Sequence, residues 1–480
     1  MGPVVNAARV VDWQGAEPLA FDPVESFLAE LADYVAIPSV SRTASPETMR
    51  RAAQWVADRL DFANGRVVET AGFPVVRGDW VGTPGAPTVL IYGHYDVQPT
   101  GSTDEWATPP FELTVEGDVV RGRGATDDKG PVLMVLTLAR AFIAQRGALP
   151  LNVKFLIEGE EEIGSPNLAG YVRSHAAELA ADLVISADGA QWRPSEPSVS
   201  TASKGLVGLD IVVHGARGDL HSGRYGGTVA NPIHALSRIL ASLHDEDGTV
   251  TVDGFYDGVP DLDIGRRAEI AAVPFDEEAY RESLGVPELI GEQGYSTLER
   301  LWERPTLEIT GVSAGGKYSV IPHVAVAHLT SRLVGKQDPE HVIAAVERHV
   351  DELGIKGVTV EVRVDEARVP AYRIEPGHPA VRAAIAALGE VYPGEDVLLA
   401  VIAGTLPATT LFEEALGIKT LFFSFSTSDE NLHAPNEFLR IRRIGEGLRA
   451  WERLWELFAS GPHALPTRES GHVVPSGGAS

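Results

Sequence analysis

The chain has 480 residues, 44% of them hydrophobic, and a formal net charge of −27. That length sets an expectation of about two to four domains with sizeable cores, and the acidity excludes nucleic acid and anionic membrane surfaces, which bind a basic excess. Cysteine is absent, which excludes disulfides and thiol catalysis and suits a cytosolic or a secreted protein equally.

The chain opens Met1-Gly2-Pro3-Val4-Val5-Asn6, with no basic stretch leading into an apolar core, so no secretory signal is expected. No run of about 18 apolar residues occurs, so no membrane span is expected, and the cytoplasm is the expected compartment. Residues 1–20 read as a loose arm. Pro23 to Ala36 and Pro46 to Phe62 carry helical periodicity. From Thr88 onward, buried strands alternate with helices. Strands are predicted at Thr88 to Tyr92, Asn152 to Ile157 and Leu183 to Ser186. A helix is predicted from Pro131 to Gln145 with proline in its first turn, and another from Pro166 capped by Ser165. Apolar strands separated by helices imply a mostly parallel sheet covered on both faces, an α/β domain.

The texture changes near Ser198. Strand pairs are predicted over Ser198 to His214, with further strands at Thr249 to Val252, Thr306 to Thr310, Val324 to Leu333 and Val358 to Val364. Helices are predicted from Asn231 to His244 and from Pro339 to Leu353. Near-neighbour strand pairing with a helix layer makes an α+β domain. After Pro376 the first texture returns: helices His378 to Val391, Leu406 to Leu416 and Phe438 to Ala459, with strands Val397 to Ala403 and Lys419 to Ser424. The expected layout is a first domain in two segments, 1–197 and 376–460, an inserted domain at 198–375, and a disordered tail at 461–480.

Acids and histidines gather at the ends of the predicted strands. Gly93-His94-Tyr95-Asp96 follows the first. His94 can ligate a metal while Asp96 holds its other ring nitrogen; an incidental surface loop would read the same. Asp127, in Gly124-Ala125-Thr126-Asp127-Asp128-Lys129, can bridge two cations with its two oxygens or can simply cap the next helix. Asp128 can be that cap and leave Asp127 to a metal. Glu160-Glu161-Glu162 is a solvated acidic turn or, if buried, a site that needs cations or protons. Asp188 ends another strand, and His433 sits in Asn431-Leu432-His433-Ala434-Pro435-Asn436-Glu437 before the last helix. Each alone reads as structural. Together they supply oxygen and imidazole ligands of the kind divalent zinc or manganese takes, beyond the carboxyl ends of strands where α/β sites form.

These motifs, in this order, resemble the M20 family of metallopeptidases, and above all its dipeptidase branch of carnosinase-like and succinyl-diaminopimelate-desuccinylase-like enzymes. The resemblance runs from Phe27 to Leu457, and Trp302-Glu303-Arg304-Pro305-Thr306 with Ser319-Val320-Ile321-Pro322 matches the longer dipeptidases. It implies that His94 and Asp188 bind one metal, Glu162 and His433 the other, and Asp127 both. It implies that Asp96 orients His94 and Glu161 is the general base. In the inserted lid and dimerisation domain, His221 matches a histidine that reaches the active site of a neighbouring subunit, and Arg332 a position that holds a substrate carboxylate. Gly404 and Thr405 fall in the substrate loop, which departs from the family pattern at Ala403 and Leu406.

The expected function is therefore hydrolysis of the amide bond of a dipeptide or similar small substrate with a free carboxylate. Two divalent ions per subunit are implied: zinc first, manganese or cobalt as alternatives. The substrate partner is a small peptide or an acylated amino acid, and the assembly a homodimer through the inserted domain. An N-acyl-amino-acid deacylase or desuccinylase is the nearest alternative. A non-catalytic binding protein on the same fold is the alternative of another class, against which the retained Glu161 counts.

Overall fold

The computed structural model describes residues 17–316 and 318–467. They form two compact units: 17–201, 374–400 and 407–467 in one, 202–373 and 401–406 in the other.

The first unit is built on a sheet of six strands. Their order across the sheet is Arg66–Val68, Val75–Trp80, Asn152–Glu158, Thr88–His94, Leu183–Ser186 and Thr420–Phe422. The last four strands pair in parallel, and the first two join antiparallel at one edge. One face buries Leu90, Tyr92, Leu156 and Val184 against Leu168, Val172, Leu179 and Phe412 of the covering helices. On the other face, Lys129–Arg146 lies against Thr88–His94, with Ile441–Ala459 packed behind it. That inner helix buries Val132 through Leu136, Leu138, Ala139 and Phe142, as a helix enclosed on both sides must. Phe142 stacks on Trp455 with ring centroids 5.9 Å apart.

Parallel pairing aligns the strand ends. His94 stands opposite Glu158, and Tyr92 opposite Ser186. The loops that follow therefore leave one edge of the sheet side by side, which places His94, Glu161, Glu162 and Asp188 in one region.

In the second unit, Thr306–Ala314, Val324–Leu333, Gly205–His214 and Thr359–Val369 form an antiparallel sheet in that order. Alternate residues Val207, Leu209, Ile211 and Val213 face a core shared with Leu236 and Ile239 of Pro232–Ala241 and with Val342 and Val346 of Pro339–Glu352.

Several local expectations need correction. Thr249 to Val252 is not a strand: Val250 makes a single bridge with His244, while Val250 and Val252 are buried in the core. The last helix begins at Ile441, because Phe438–Arg440 pairs with Val119–Arg121. Ser165 caps no helix. It sits at φ 52, its hydroxyl donates to Glu158, and the next helix starts at Leu168 behind Asn167. The edge hairpin Arg66–Val68 with Val75–Trp80 was not anticipated.

Of the expected arm, residues 1–16 lie outside the described residues; Leu19 is buried, and its N–H donates to Glu452. Of the expected tail, 468–480 lie outside them, and Leu465 is buried. Among the described residues no helix is long and apolar enough to cross a membrane.

Candidate metal centre

His94 closes its strand fully buried. Its Nε2 lies 3.1 Å from Asp127 Oδ1, and its Nδ1 lies 3.0 Å from the Asp96 carbonyl oxygen and 3.4 Å from Asp96 Oδ1. Both ring nitrogens thus face oxygen, and a cation bound at Nε2 would take the place of the proton there. The Asp96 carboxylate does further work at the next loop. It accepts from the backbone N–H of Glu161 at 3.3 Å and of Glu162 at 3.1 Å.

Asp128 does not cap the helix Lys129–Arg146 with its side chain. Its Oδ2 accepts from the His94 N–H at 3.2 Å. Glycine at 93 permits this approach, since a Cβ there would lie 2.6 Å from that oxygen. Asp127 is likewise no cap, because its two oxygens face His94 and His433.

His433 reaches the cluster from an exposed loop, in the left-handed backbone region at φ 60. Its Nε2 lies 3.0 Å from Asp127 Oδ2 and 3.3 Å from Glu162 Oε2. Two groups result, His94 with Asp127 and Asp188, and Asp127 with Glu162 and His433. Within each, one potential ligand atom per residue lies within 4.8 Å of the others. Asp127 belongs to both groups, and Glu161 to neither.

The electrostatics of this cluster fit cations. Burial pushes the Glu162 carboxyl up to about 8, with the Asp127 charge adding to it, and the Asp188 carboxyl up to about 6. Burial pushes Glu161 well above the carboxylate range, helped by Asp188, Glu162 and Asp127 and opposed by His94. Burial also works to raise Asp127, but hydrogen bonds with His433 and His94 hold it below its ordinary range. The Asp127 hydrogen bond carries His433 up to about 9. Burial opposes protonation of His94, yet Asp127 and Asp96 raise it well above its ordinary value. The cluster holds more carboxylate than its two imidazoles can neutralise, so the acids keep protons that bound cations would displace. The donors, carboxylate oxygen and imidazole nitrogen, suit zinc and manganese.

Some residues of this centre escaped notice in the sequence. Gln98 donates to Glu162 Oε2 at 2.8 Å and to the Glu162 carbonyl at 3.2 Å. Glu430 and Glu437 are fully buried at the two ends of the His433 loop. Of these only Glu437 stands within a motif already singled out, Asn431 to Glu437, and Gln98 lies two residues beyond Asp96.

The remaining candidates belong to the second unit. Arg332, half-buried, donates through Nη1 to Thr405 Oγ1 at 2.7 Å. The Thr405 hydroxyl donates to the Lys204 carbonyl at 2.7 Å, and the Gly404 carbonyl accepts from the Lys204 N–H at 3.0 Å. Lys204 is buried, and its ammonium donates to the Arg304 carbonyl at 2.8 Å. Arg332, Gly404 and Thr405 therefore form one hydrogen-bonded set around Lys204, a residue the sequence did not mark. His221 is exposed, opposite Val320 in a short ladder, and its Nδ1 accepts from the Gly223 N–H at 3.1 Å.

Comparison with known proteins adds to this geometry. The family model described as peptidase family M20/M25/M40 matches residues 90–457. The Cys-Gly metallodipeptidase of Saccharomyces cerevisiae is 30% identical over 399 residues, covering 81% of this chain and 83% of the relative. The human Beta-Ala-His dipeptidase is 28% identical over 455 residues, covering 91% of this chain and 87% of the relative. Among solved structures, an M20 family metallo-carboxypeptidase from Sulfolobus solfataricus superposes with a TM-score of 0.81 at 32% identity, covering 90% of this chain and 99% of that one.

Proposed function

Because the chain belongs to peptidase family M20/M25/M40 and is a metal-dependent peptidase, we propose that it hydrolyses dipeptides at a dinuclear centre, with Glu161 as general base. The observation that carries this reading is the place of Asp127 in both ligand groups while Glu161 stands in neither. Glu161 nevertheless feels the charges of His94, Asp188, Glu162 and Asp127, members of both groups.

In this reading His94 and Asp188 hold one divalent ion, Glu162 and His433 the other, and Asp127 both. Zinc is the proposed metal, with manganese or cobalt as alternatives. When bound, the pair supplies Lewis acidity and a water acidic enough to lose a proton near neutral pH. Asp96 fixes the His94 ring and, by accepting from the N–H groups of Glu161 and Glu162, fixes where those side chains start. The Glu161 carboxylate takes the proton of the attacking water and passes it to the leaving amine. Arg332, held by Thr405, pairs with the substrate carboxylate. Residues 198–375 serve as lid and dimerisation domain, inserted into a catalytic domain of 1–197 and 376–460. Through this domain a second copy supplies His221 as a hydrogen-bond donor to the oxyanion.

A second reading, removal of the C-terminal residue from longer peptides, is favoured by the likeness to the metallo-carboxypeptidase. One experiment separates the readings. The purified chain is assayed on dipeptides that include Cys-Gly and β-Ala-His, on longer peptides, and on N-acetyl and N-succinyl amino acids, with and without chelator. Chelator-sensitive cleavage confined to dipeptides is expected. Cleavage of longer peptides at the C-terminus selects the second reading, and turnover of acylated amino acids alone makes it a deacylase. Activity indifferent to chelator with no bound metal would sink the dinuclear centre itself.

A further inference from the structure

The loop that carries His433 is bounded by two glutamates, Glu430 and Glu437, each fully buried. Both close on the turn that carries Asp127. The Glu437 carboxylate accepts four hydrogen bonds on two oxygens. Oε2 takes Arg123 Nη1 at 2.8 Å and the Gly124 N–H at 2.9 Å. Oε1 takes the Thr126 N–H at 3.0 Å and the Asp127 N–H at 3.1 Å. The Glu437 carbonyl accepts from the Gly122 N–H at 3.0 Å. At the other end, Glu430 Oε2 accepts from the Thr126 hydroxyl at 2.5 Å and the Thr427 N–H at 3.0 Å. Its Oε1 accepts from the Arg440 N–H and from Arg440 Nη1, each at 3.3 Å. Between the two ends, Arg123 Nη2 donates to the Ala434 carbonyl at 3.2 Å, one residue beyond His433.

We propose that Glu437, with Glu430, is a positioning clamp that sets His433 against Asp127 and so determines whether the chain holds a cation in the Asp127–Glu162–His433 group. Neither glutamate is a ligand: neither belongs to a ligand group, and the Glu437 oxygens are each occupied by two donors. The clamp acts through the main chain. The Asp127 N–H is pinned by the same oxygen that pins the Thr126 N–H, so the starting point of the Asp127 side chain is fixed from the loop that bears His433. His433 holds a left-handed backbone at φ 60, which a residue other than glycine keeps only where its surroundings impose it. Anchors at both ends of the loop supply that imposition. The clamp touches the His94–Asp127–Asp188 group only through the shared Asp127, since His94 ends one sheet strand and Asp188 lies two residues beyond another.

The chemistry of substitution makes this specific. Glutamine at 437 keeps the shape but turns one oxygen into an NH₂, which would meet two donors head on whichever way the amide faces. It also leaves Arg123, itself 1% exposed, without its counter-charge. Loss of support behind a ligand typically weakens metal affinity roughly 10–100-fold.

This inference rests on the reading of the two groups as metal sites, and the test separates the two claims. Metal-stripped full-length chain is titrated with zinc by calorimetry, alongside Glu437→Gln and Glu430→Gln, with near-ultraviolet circular dichroism to establish folding. Wild type is expected to take up two equivalents. Glu437→Gln is expected to bind one equivalent with affinity reduced roughly 10–100-fold and the other, which meets the clamp only through Asp127, with a smaller loss; Glu162→Ala should lose the more weakened equivalent. General destabilisation would lower the melting temperature without removing one equivalent selectively. If wild type binds none, the metal reading fails. If wild type binds two and folded Glu437→Gln binds two with unchanged affinities, the clamp is overturned and the metal reading stands. Should Glu437→Gln not fold, Glu430→Gln decides: selective weakening of one equivalent supports the clamp, and two unchanged equivalents overturn it.

Discussion

Asp127 and His433 are 306 residues apart in sequence, and Asp127 Oδ2 lies 3.0 Å from His433 Nε2. The other oxygen of the same carboxylate lies 3.1 Å from His94 Nε2. One side chain therefore joins a loop at a strand end to a loop from the far end of the chain. The division of labour around it is what mutations can test.

Glu161→Ala is expected to lower turnover by about 10²–10⁴, with metal content unchanged. Glu162→Ala, one residue on, is expected to lower metal content as well as turnover. Metal analysis of the purified variants beside steady-state rates checks both. Near-wild-type turnover in Glu161→Ala would remove it from the role of base.

Arg332→Ala is expected to raise KM for substrates with a free C-terminal carboxylate far more than for their amides. The guanidinium is a planar fork that meets a carboxylate with two hydrogen bonds and has no such partner in an amide. Steady-state kinetics on paired free and amidated dipeptides measures the difference. An equal effect on the two would take Arg332 out of substrate binding.

His221 is exposed in the second unit, and the proposed homodimer has it serve a partner's site. Glu161→Ala and His221→Ala, each inactive alone, are to be unfolded and refolded together. If His221 works across the interface, one site in each mixed dimer regains both residues and activity returns. If it works within its own chain, every site keeps a defect. A fully active monomer, or silent mixed dimers of demonstrated composition, rules the arrangement out.

Much of the candidate centre is legible in the sequence because His94, Glu161, Glu162 and Asp188 sit at or just beyond strand ends. An apolar strand followed at once by His94 and Asp96, or by Glu161 and Glu162, advertises both the element and the group at its tip. What escaped depends on contacts far along the chain. Nothing near Asp128 reveals that it supports the His94 N–H rather than a helix end. Glu437 gives no sign of gripping a turn over 300 residues earlier. Thr249 to Val252 has the β-branched composition of a strand, but core burial of its valines explains that composition equally well. Phe438 to Arg440 continues an apolar helical pattern, yet a partner at Val119–Arg121 draws its backbone into a ladder. The strand Val75–Trp80 is interrupted by Arg77, Gly78 and Asp79, and the buried Arg77 guanidinium is met by Asp79 and Tyr171.

The two candidate ligand groups differ in when the growing chain can complete them. His94, Asp127 and Asp188 all precede the second unit, whereas His433 follows it. A polypeptide emerging from its N-terminus carries every candidate ligand of the first group before any of residues 202–373 exists. The second group waits until the C-terminal segment has been made and folded back. The candidate centre thus has a built-in order of assembly, and a chain stopped short of residue 433 is left with half of it: one full set of candidate ligands, and an Asp127 whose second oxygen faces no histidine.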